Sequence, residues 1–311
     1  MKTDLITSMA LLWGATGLFV ADVRVALAAD GDRDSDFPQV LTPSRLPQRL
    51  DEAPSTVTII DRAMIEASGA RRLVDVLRLV PGLQVGYKNN SLPTATYHGL
   101  SDEYARRMLL LLNGQRIFQY SRGVIEWNNL PIPLENIERI EVVRGPAAAA
   151  YGSNALQAVI NIQTGSPAEY PGLSAQIAGG SDGIADGFLR YGGRVGVMDY
   201  TLSLSSVGDS GYPGVYDDRR NTSLSFMGDV PFEAGGELKL QAGFARGDYG
   251  IENPESTTWE PARDFPVTDN FQSLQWRKPG TRNDEWTLTL SHYRFHYGDR
   301  GFRKDRLRSG A

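Results

Sequence analysis

The sequence predicts an α+β domain followed by antiparallel β-strands, about seven of them by pattern. Three observations lead there. Up to about residue 165, short helical periods alternate with short apolar strands. After Pro171 helical spacing stops and period-two alternation takes over. Beyond the first 29 residues, no stretch has the roughly 20 apolar residues that a spanning helix needs.

Composition bounds the function. The 311 residues carry 33 Gly, 17 Pro and many aromatics, a mix that suits a strand-rich fold. The net charge of −5, without a basic block, argues against bulk nucleic-acid binding. With no cysteine there is no disulfide scaffold, thiolate metal site or thiol nucleophile.

The first 29 residues read as a secretory leader. Lys2 gives a positive start, residues 5–20 are apolar, and Ala26-Leu27-Ala28 offers a cleavage site. Asp4, Asp22 and Arg24 are unusual there. The alternatives are a membrane anchor or a buried helix. Residues 30–49 are polar, interrupted by Pro38, Pro43 and Pro47, and read as extended.

The elements that follow have local causes. Residues 57–60 form a strand, and Asp61 caps a helix over 62–67 that Gly69 stops. Leu73, Val76, Leu77 and Val80 lie at helical spacing over 71–80, and Pro81-Gly82 ends the run. Residues 83–85 read as a strand and 86–93 as a polar loop. Met108 to Leu112 is a continuous apolar strand, and Asn113-Gly114 predicts a hairpin back through 116–118. A loop over 119–129 precedes Pro133, which can open a short helix. A strand over 140–143 then enters Arg144-Gly145-Pro146.

In the C-terminal half, Leu202 and Leu204 alternate with Thr201, Ser203 and Ser205, and Leu224 and Phe226 with Ser223 and Ser225. Phe244 and Trp286 sit in similar runs. Such alternation fits a transmembrane β-barrel wall, apolar toward lipid, or a soluble sandwich with one wet face. The parity changes near Ser291, where Tyr293, Phe295 and Tyr297 fall on the polar face; a bulge or an aromatic girdle would account for it.

The stretch 141–162, EVVRGPAAAAYGSNALQAVINI, strongly resembles the end of the plug domain of TonB-dependent outer-membrane receptors. The resemblance extends over LVDVLRLVPGLQV (73–85), LLLLNGQR (109–116) and LPIPLENIERIEVVRG (130–145). His98-Gly99 stands where the family usually has Arg-Gly. Together with the leader, the resemblance selects the barrel over the sandwich.

It implies a leader at 1–29, an extended segment at 30–46, a plug at 47–166 and barrel strands at 167–311. The barrel would be incomplete, since plugged transporters need roughly 22 strands. The chain is therefore expected to be the N-terminal part of a receptor, located in the outer membrane and in contact with its lipid.

The implied function is active uptake of a scarce nutrient, a ferric siderophore or cobalamin, driven by the TonB protein of the inner membrane. The alternative is a truncated product whose plug is a periplasmic binding module. The TonB box would comprise Asp36, Phe37, Pro38, Gln39, Val40, Leu41 and Thr42, an extended segment able to add a strand to a partner's sheet. The loops 86–93 and 119–127 would be the outward apices, with Tyr87, Lys88, Asn89, Tyr120, Arg122 and Trp127 offered to ligand. Arg144 and Gly145 would contact the barrel. No cofactor, metal site or enzymatic activity is expected: His98, His292 and His296 make no chelating set, and no Gly-x-Ser-x-Gly elbow is present.

Overall fold

The computed structural model describes residues 20–27, 39–40, 48–53, 55–100, 104–117, 124–232, 235–252, 262–280 and 284–298. Its first strands are β1 (Val20–Leu27), β2 (Gln39–Val40) and β3 (Gln48–Arg49), of which β2 and β3 pair with each other. Strand β4 (Thr56–Asp61) runs into helix α1 (Arg62–Ser68). The Asp61 carboxylate accepts the Met64 N–H at 2.8 Å, and Gly69 closes the helix at φ 64°.

Helix α2 (Leu73–Val76) tightens into a 3-10 turn over Leu77–Leu79. Val80 precedes a proline and is pushed to extended backbone. The last turn therefore closes early, with the Val80 N–H donating to the Leu77 carbonyl at 3.1 Å.

Strands β5 (Leu83–Tyr87) and β6 (Pro93–Tyr97) form a hairpin. So do β7 (Met108–Leu112) and β8 (Gln115–Arg116), with positive φ at both Asn113 and Gly114 as a two-residue turn demands. β9 (Ile137–Arg144), α3 (Ala148–Tyr151) and β10 (Ala158–Thr164) complete the plug. Its main sheet has the order β4-β9-β10-β7-β8, with only β10 and β7 parallel.

Both faces of this sheet are covered. Met108, Leu110 and Leu112 join the core under α1 and α2, while Leu109 and Leu111 meet Tyr151, Ala155 and Val159 on the other side. That is why five successive apolar residues are all buried.

Seven antiparallel strands follow: β11 (Gly172–Gly179), β12 (Ala185–Val195), β13 (Met198–Asp209), β14 (Arg219–Pro231), β15 (Glu237–Ile251), β16 (Arg263–Pro279) and β17 (Asp284–Tyr297). Each pairs with its neighbour in sequence, forming a wall that curves past the plug without closing. Its burial is inverted relative to a soluble sheet. Thr201 and Ser203 are 1% exposed, whereas Leu202 between them is 47% exposed and Ile177 on β11 is 92% exposed. Polar residues face the plug and apolar ones face outward. This arrangement rejects the soluble sandwich, which would bury its apolar face, and identifies a lipid-facing wall.

Strand β17 differs from expectation. The pairing of β16 with β17 runs without a register shift from Val267↔Tyr297 to Pro279↔Glu285, so there is neither a bulge nor a change of parity. Tyr293 and Phe295 point inward and pack on buried clusters, where a girdle would point to lipid. The apolar outward band of β17 simply ends above Leu290, giving way to His292, Arg294 and His296.

The expected leader lies only partly within the described residues. Its residues 20–27 form β1, an edge strand antiparallel to β17, and the rest lies outside the described residues. Register sets Ala21, Val23 and Val25 opposite Leu290, Leu288 and Trp286. The segment satisfies an edge of β17 that would otherwise present unpaired backbone groups.

Candidate functional site

The two ends of the wall differ. Connections 196–197, 232–236 and 280–283 are short and lie at one end; 210–218 and 252–262 are longer and lie at the other with 180–184. The longer end is the outer one in a barrel of this kind. There the plug meets the wall through charge. Arg71 forks onto Asp186 of β12 at 2.6 and 2.8 Å and reaches Asp209 of β13 at 3.2 Å. Arg72 is 3.5 Å from Asp209, and Arg219 of β14 is 2.8 Å from the same carboxylate. Asn90 joins them: its side chain bonds Arg72 and Asp209, and its N–H donates to Asp217 at 2.7 Å.

Further tiers follow toward the inner end. Plug Asn129 donates to Asp269 of β16 at 2.8 Å and accepts from Asn221 of β14 at 2.7 Å. Tyr293 donates to the same Asp269 at 2.8 Å. Plug Asn136 donates to Ser203 and Ser225 at 3.1 and 2.9 Å. At the inner end, Ser166 donates to Asp229 at 3.0 Å. Backbone also approaches closely: a Cβ on Gly243 of β15 would lie 2.1 Å from the Pro131 carbonyl oxygen, so only glycine lets the plug seat there.

The expected site residues fall into separate groups. Tyr87 is half-buried. Its hydroxyl donates to Asp75 at 2.6 Å, and the guanidinium carbons of Arg72 and Arg78 lie 5.1 and 5.9 Å from its ring centre. Burial, and then the Asp75 carboxylate, push its hydroxyl up to about 12. Lys88 is exposed. Asn89 is buried: its Oδ1 accepts from Ser91 N–H and Oγ at 3.1 and 3.0 Å, and its Nδ2 donates to the Glu252 carbonyl beyond β15 at 3.2 Å. Trp127 is not a loop-tip aromatic: it is 4% exposed within the main core, because the chain around it dives between plug and wall. Tyr120 and Arg122 lie outside the described residues.

Of the expected TonB box, Gln39 and Val40 form β2, while Asp36, Phe37, Pro38, Leu41 and Thr42 lie outside the described residues. Arg144 donates to the Pro81 carbonyl at 3.3 Å, within the plug. Among the described residues the wall carboxylates Asp186 and Asp209 are held by Arg71 and Arg72 instead. Arg144 ends a central strand of the plug sheet, whereas the two other arginines sit on the α1–α2 link that faces the wall. Gly145, at φ 99°, donates its N–H to the Gln157 carbonyl at 2.8 Å and so shapes the turn itself.

Glu135 is a further plug residue at this interface. Its Oε2 is shielded and has no hydrogen-bond partner among the described residues, and burial raises its carboxyl above the ordinary range. In that window the folded state binds more protons than the unfolded one, so its contribution to stability falls as pH rises from about 4.3 upward. Glu135→Gln is expected to remove this part of the pH dependence. Unfolding measured between pH 4 and 8 with an unchanged slope would reject it.

A plug of mixed sheet and short helices, seated by polar tiers against a lipid-facing antiparallel wall, defines a plugged outer-membrane receptor. Comparison with known proteins agrees. Residues 49–159 match the TonB-dependent Receptor Plug Domain family. The Vitamin B12 transporter BtuB of Photobacterium profundum is 35% identical over 165 residues, 53% of this chain and 26% of that protein. The Iron-regulated outer membrane virulence protein of Vibrio cholerae (El Tor Inaba N16961) is 35% identical over 147 residues, 45% of this chain and 21% of that protein. Among solved structures, the pyoverdine outer membrane receptor FpvA of Pseudomonas aeruginosa PAO1 superposes with a TM-score of 0.69 at 15% identity, covering 86% of this chain and 41% of that one. The ferric-catecholate import receptor Fiu of E. coli K12 superposes with a TM-score of 0.63 at 18% identity, covering 80% and 40%.

Residues 49–159 belong to the TonB-dependent receptor plug family, and with the strands that follow they make up part of an outer-membrane receptor of that kind. It spans about a quarter of the length of the Photobacterium relative.

Proposed function

We propose that the protein takes part in TonB-dependent uptake of a scarce nutrient, cobalamin or a ferric siderophore, across the outer membrane. The reading is of a receptor and transporter, not of an enzyme. The observation that carries it is the pairing of a separately cored plug with an inverted, lipid-facing wall. Such a pair is of use only where a pore must be blocked and reopened. Relatives that are vitamin B12 transporters favour cobalamin, and neighbours that are siderophore receptors favour ferric chelates.

In this reading residues 1–29 direct export and residues 36–42 are the handle to which TonB adds a strand. Ligand is met at the outer face, where Tyr87 and Lys88 reach the surface, with Tyr120 and Arg122 as further contacts offered by the sequence.

The test is growth rescue. Cells lacking their own receptors and expressing the protein are starved of all but cyanocobalamin, or all but one ferric siderophore. Rescue that requires TonB and is lost on deleting residues 36–42 is expected. Rescue by none of these nutrients would reject the transport reading. TonB-dependent rescue that survives the deletion would reject the box alone.

A further inference from the structure

A cleft of about 230 Å³ lies between the plug and the wall, directly beneath the outer charge cluster. Two of its lining residues are buried donors with unmet N–H groups. The Trp127 indole N–H and the Arg219 Nε–H have no hydrogen-bond partner among the described residues, and each side chain belongs to a residue only 4% exposed. Leaving a buried donor unmet costs about 1–3 kcal/mol, so such groups are retained where something meets them.

The cluster above the cleft is rich in guanidinium. Arg71, Arg72 and Arg219 share the carboxylates of Asp186 and Asp209, and Asp217 is tied to them through Asn90. Arg219 engages Asp209 through Nη2, which leaves its Nε side for another acceptor. The acid Glu135 also lines the cleft, its Oε2 unmet among the described residues. Arg71 and Arg72 also line a second opening with Tyr87 and Tyr212 on the outer side, so the cluster stands between that opening and the cleft.

We propose that this cleft is an oxyanion site, taking a phosphate or carboxylate group on the Nε–H of Arg219 and the indole N–H of Trp127. A guanidinium edge suits such groups by both charge and shape. The guanidiniums of Arg71, Arg72 and Arg219 in the lining disfavour a metal cation.

The experiment uses the whole chain in detergent micelles, titrated with inorganic phosphate against chloride at constant ionic strength. A saturable rise in unfolding temperature is expected, with a change in indole emission that is missing from Trp127→Phe. Arg219→Lys keeps a charge beside Asp209 and lacks the Nε–H; its affinity for phosphate should fall at least tenfold. No saturable rise, an emission change that persists in Trp127→Phe, or undiminished affinity in Arg219→Lys would each overturn the proposal.

A second arm adds cyanocobalamin, which carries a phosphodiester. Competition with phosphate assigns the site to the nutrient's anionic group, and its absence assigns the site to a free anion. Neither readout depends on uptake, so the site and the transport reading stand or fall separately.

Discussion

Asp209→Ala is expected to free the outer end of the plug from the wall. That one carboxylate faces Arg71 at 3.2 Å, Arg72 at 3.5 Å and Arg219 at 2.8 Å, and it also accepts from Asn90. The Arg72 and Arg219 side chains are almost entirely shielded from water. Without Asp209 they are left as buried like charges with no carboxylate within ion-pair reach among the described residues, since Asp186 is held by Arg71. Removing one partner of a buried pair costs about 3–5 kcal/mol, most of it the penalty on the charge that remains. The loss should appear in denaturant unfolding of the chain in micelles, and as faster proteolysis within residues 71–92. Asp209→Asn keeps an acceptor for Asn90 and should fall between the two. Wild-type resistance in Asp209→Ala would mean that the cluster does not hold the plug.

Phe271→Ala should produce a loss of similar size by a different route. Phe271 belongs to β16 of the wall, yet it is 1% exposed and sits in the main core of the plug, where Tyr293 also packs. Truncating a buried phenylalanine costs about 3–5 kcal/mol through lost transfer energy and the cavity left behind. Phe271→Leu should recover much of it. Because the backbone ladder of β16 is untouched, strand content by circular dichroism should stay constant while the plug unfolds earlier. Equal unfolding of Phe271→Ala and wild type would show that the side chain is not shared between the two parts.

The local signals of the plug were legible in the sequence. Asp61 and Gly69 bracket a helix as their chemistry requires, and Asn113-Gly114 turns a hairpin. The seven wall strands were readable from alternation, but which face met water was not. Period two says only that faces differ, and the answer lies in what the polar face touches: here Asn129 and Asn136 of the plug. The same limit explains the aromatics of β17. Tyr293 looked out of phase because lipid-facing residues were sought, whereas its partner Asp269 is an inward one.

The residues that join plug to wall were the least legible. Arg71 and Arg72 read as a polar start to an apolar helix, and nothing local marks their partners 115 and 137 positions away. Trp127 misled for the converse reason. An aromatic in a polar loop suggests an exposed face, but a loop that passes between two packed layers buries it.

The inverted burial of the wall also fixes an order of assembly. The plug has nearly all of its core within itself and can collapse in water, with the sheet β4-β9-β10-β7-β8 covered on both faces. The wall gains nothing by doing so, since folding in water would leave Leu202, Leu204, Leu224 and Phe244 on the surface. Its strands become stable only as their outer faces leave water for hydrocarbon. Until then the chain crossing an aqueous compartment is half a folded protein and half a set of sticky, unpaired segments. Reconstitution from denaturant should therefore proceed in two separable steps, the first indifferent to lipid and the second dependent on it.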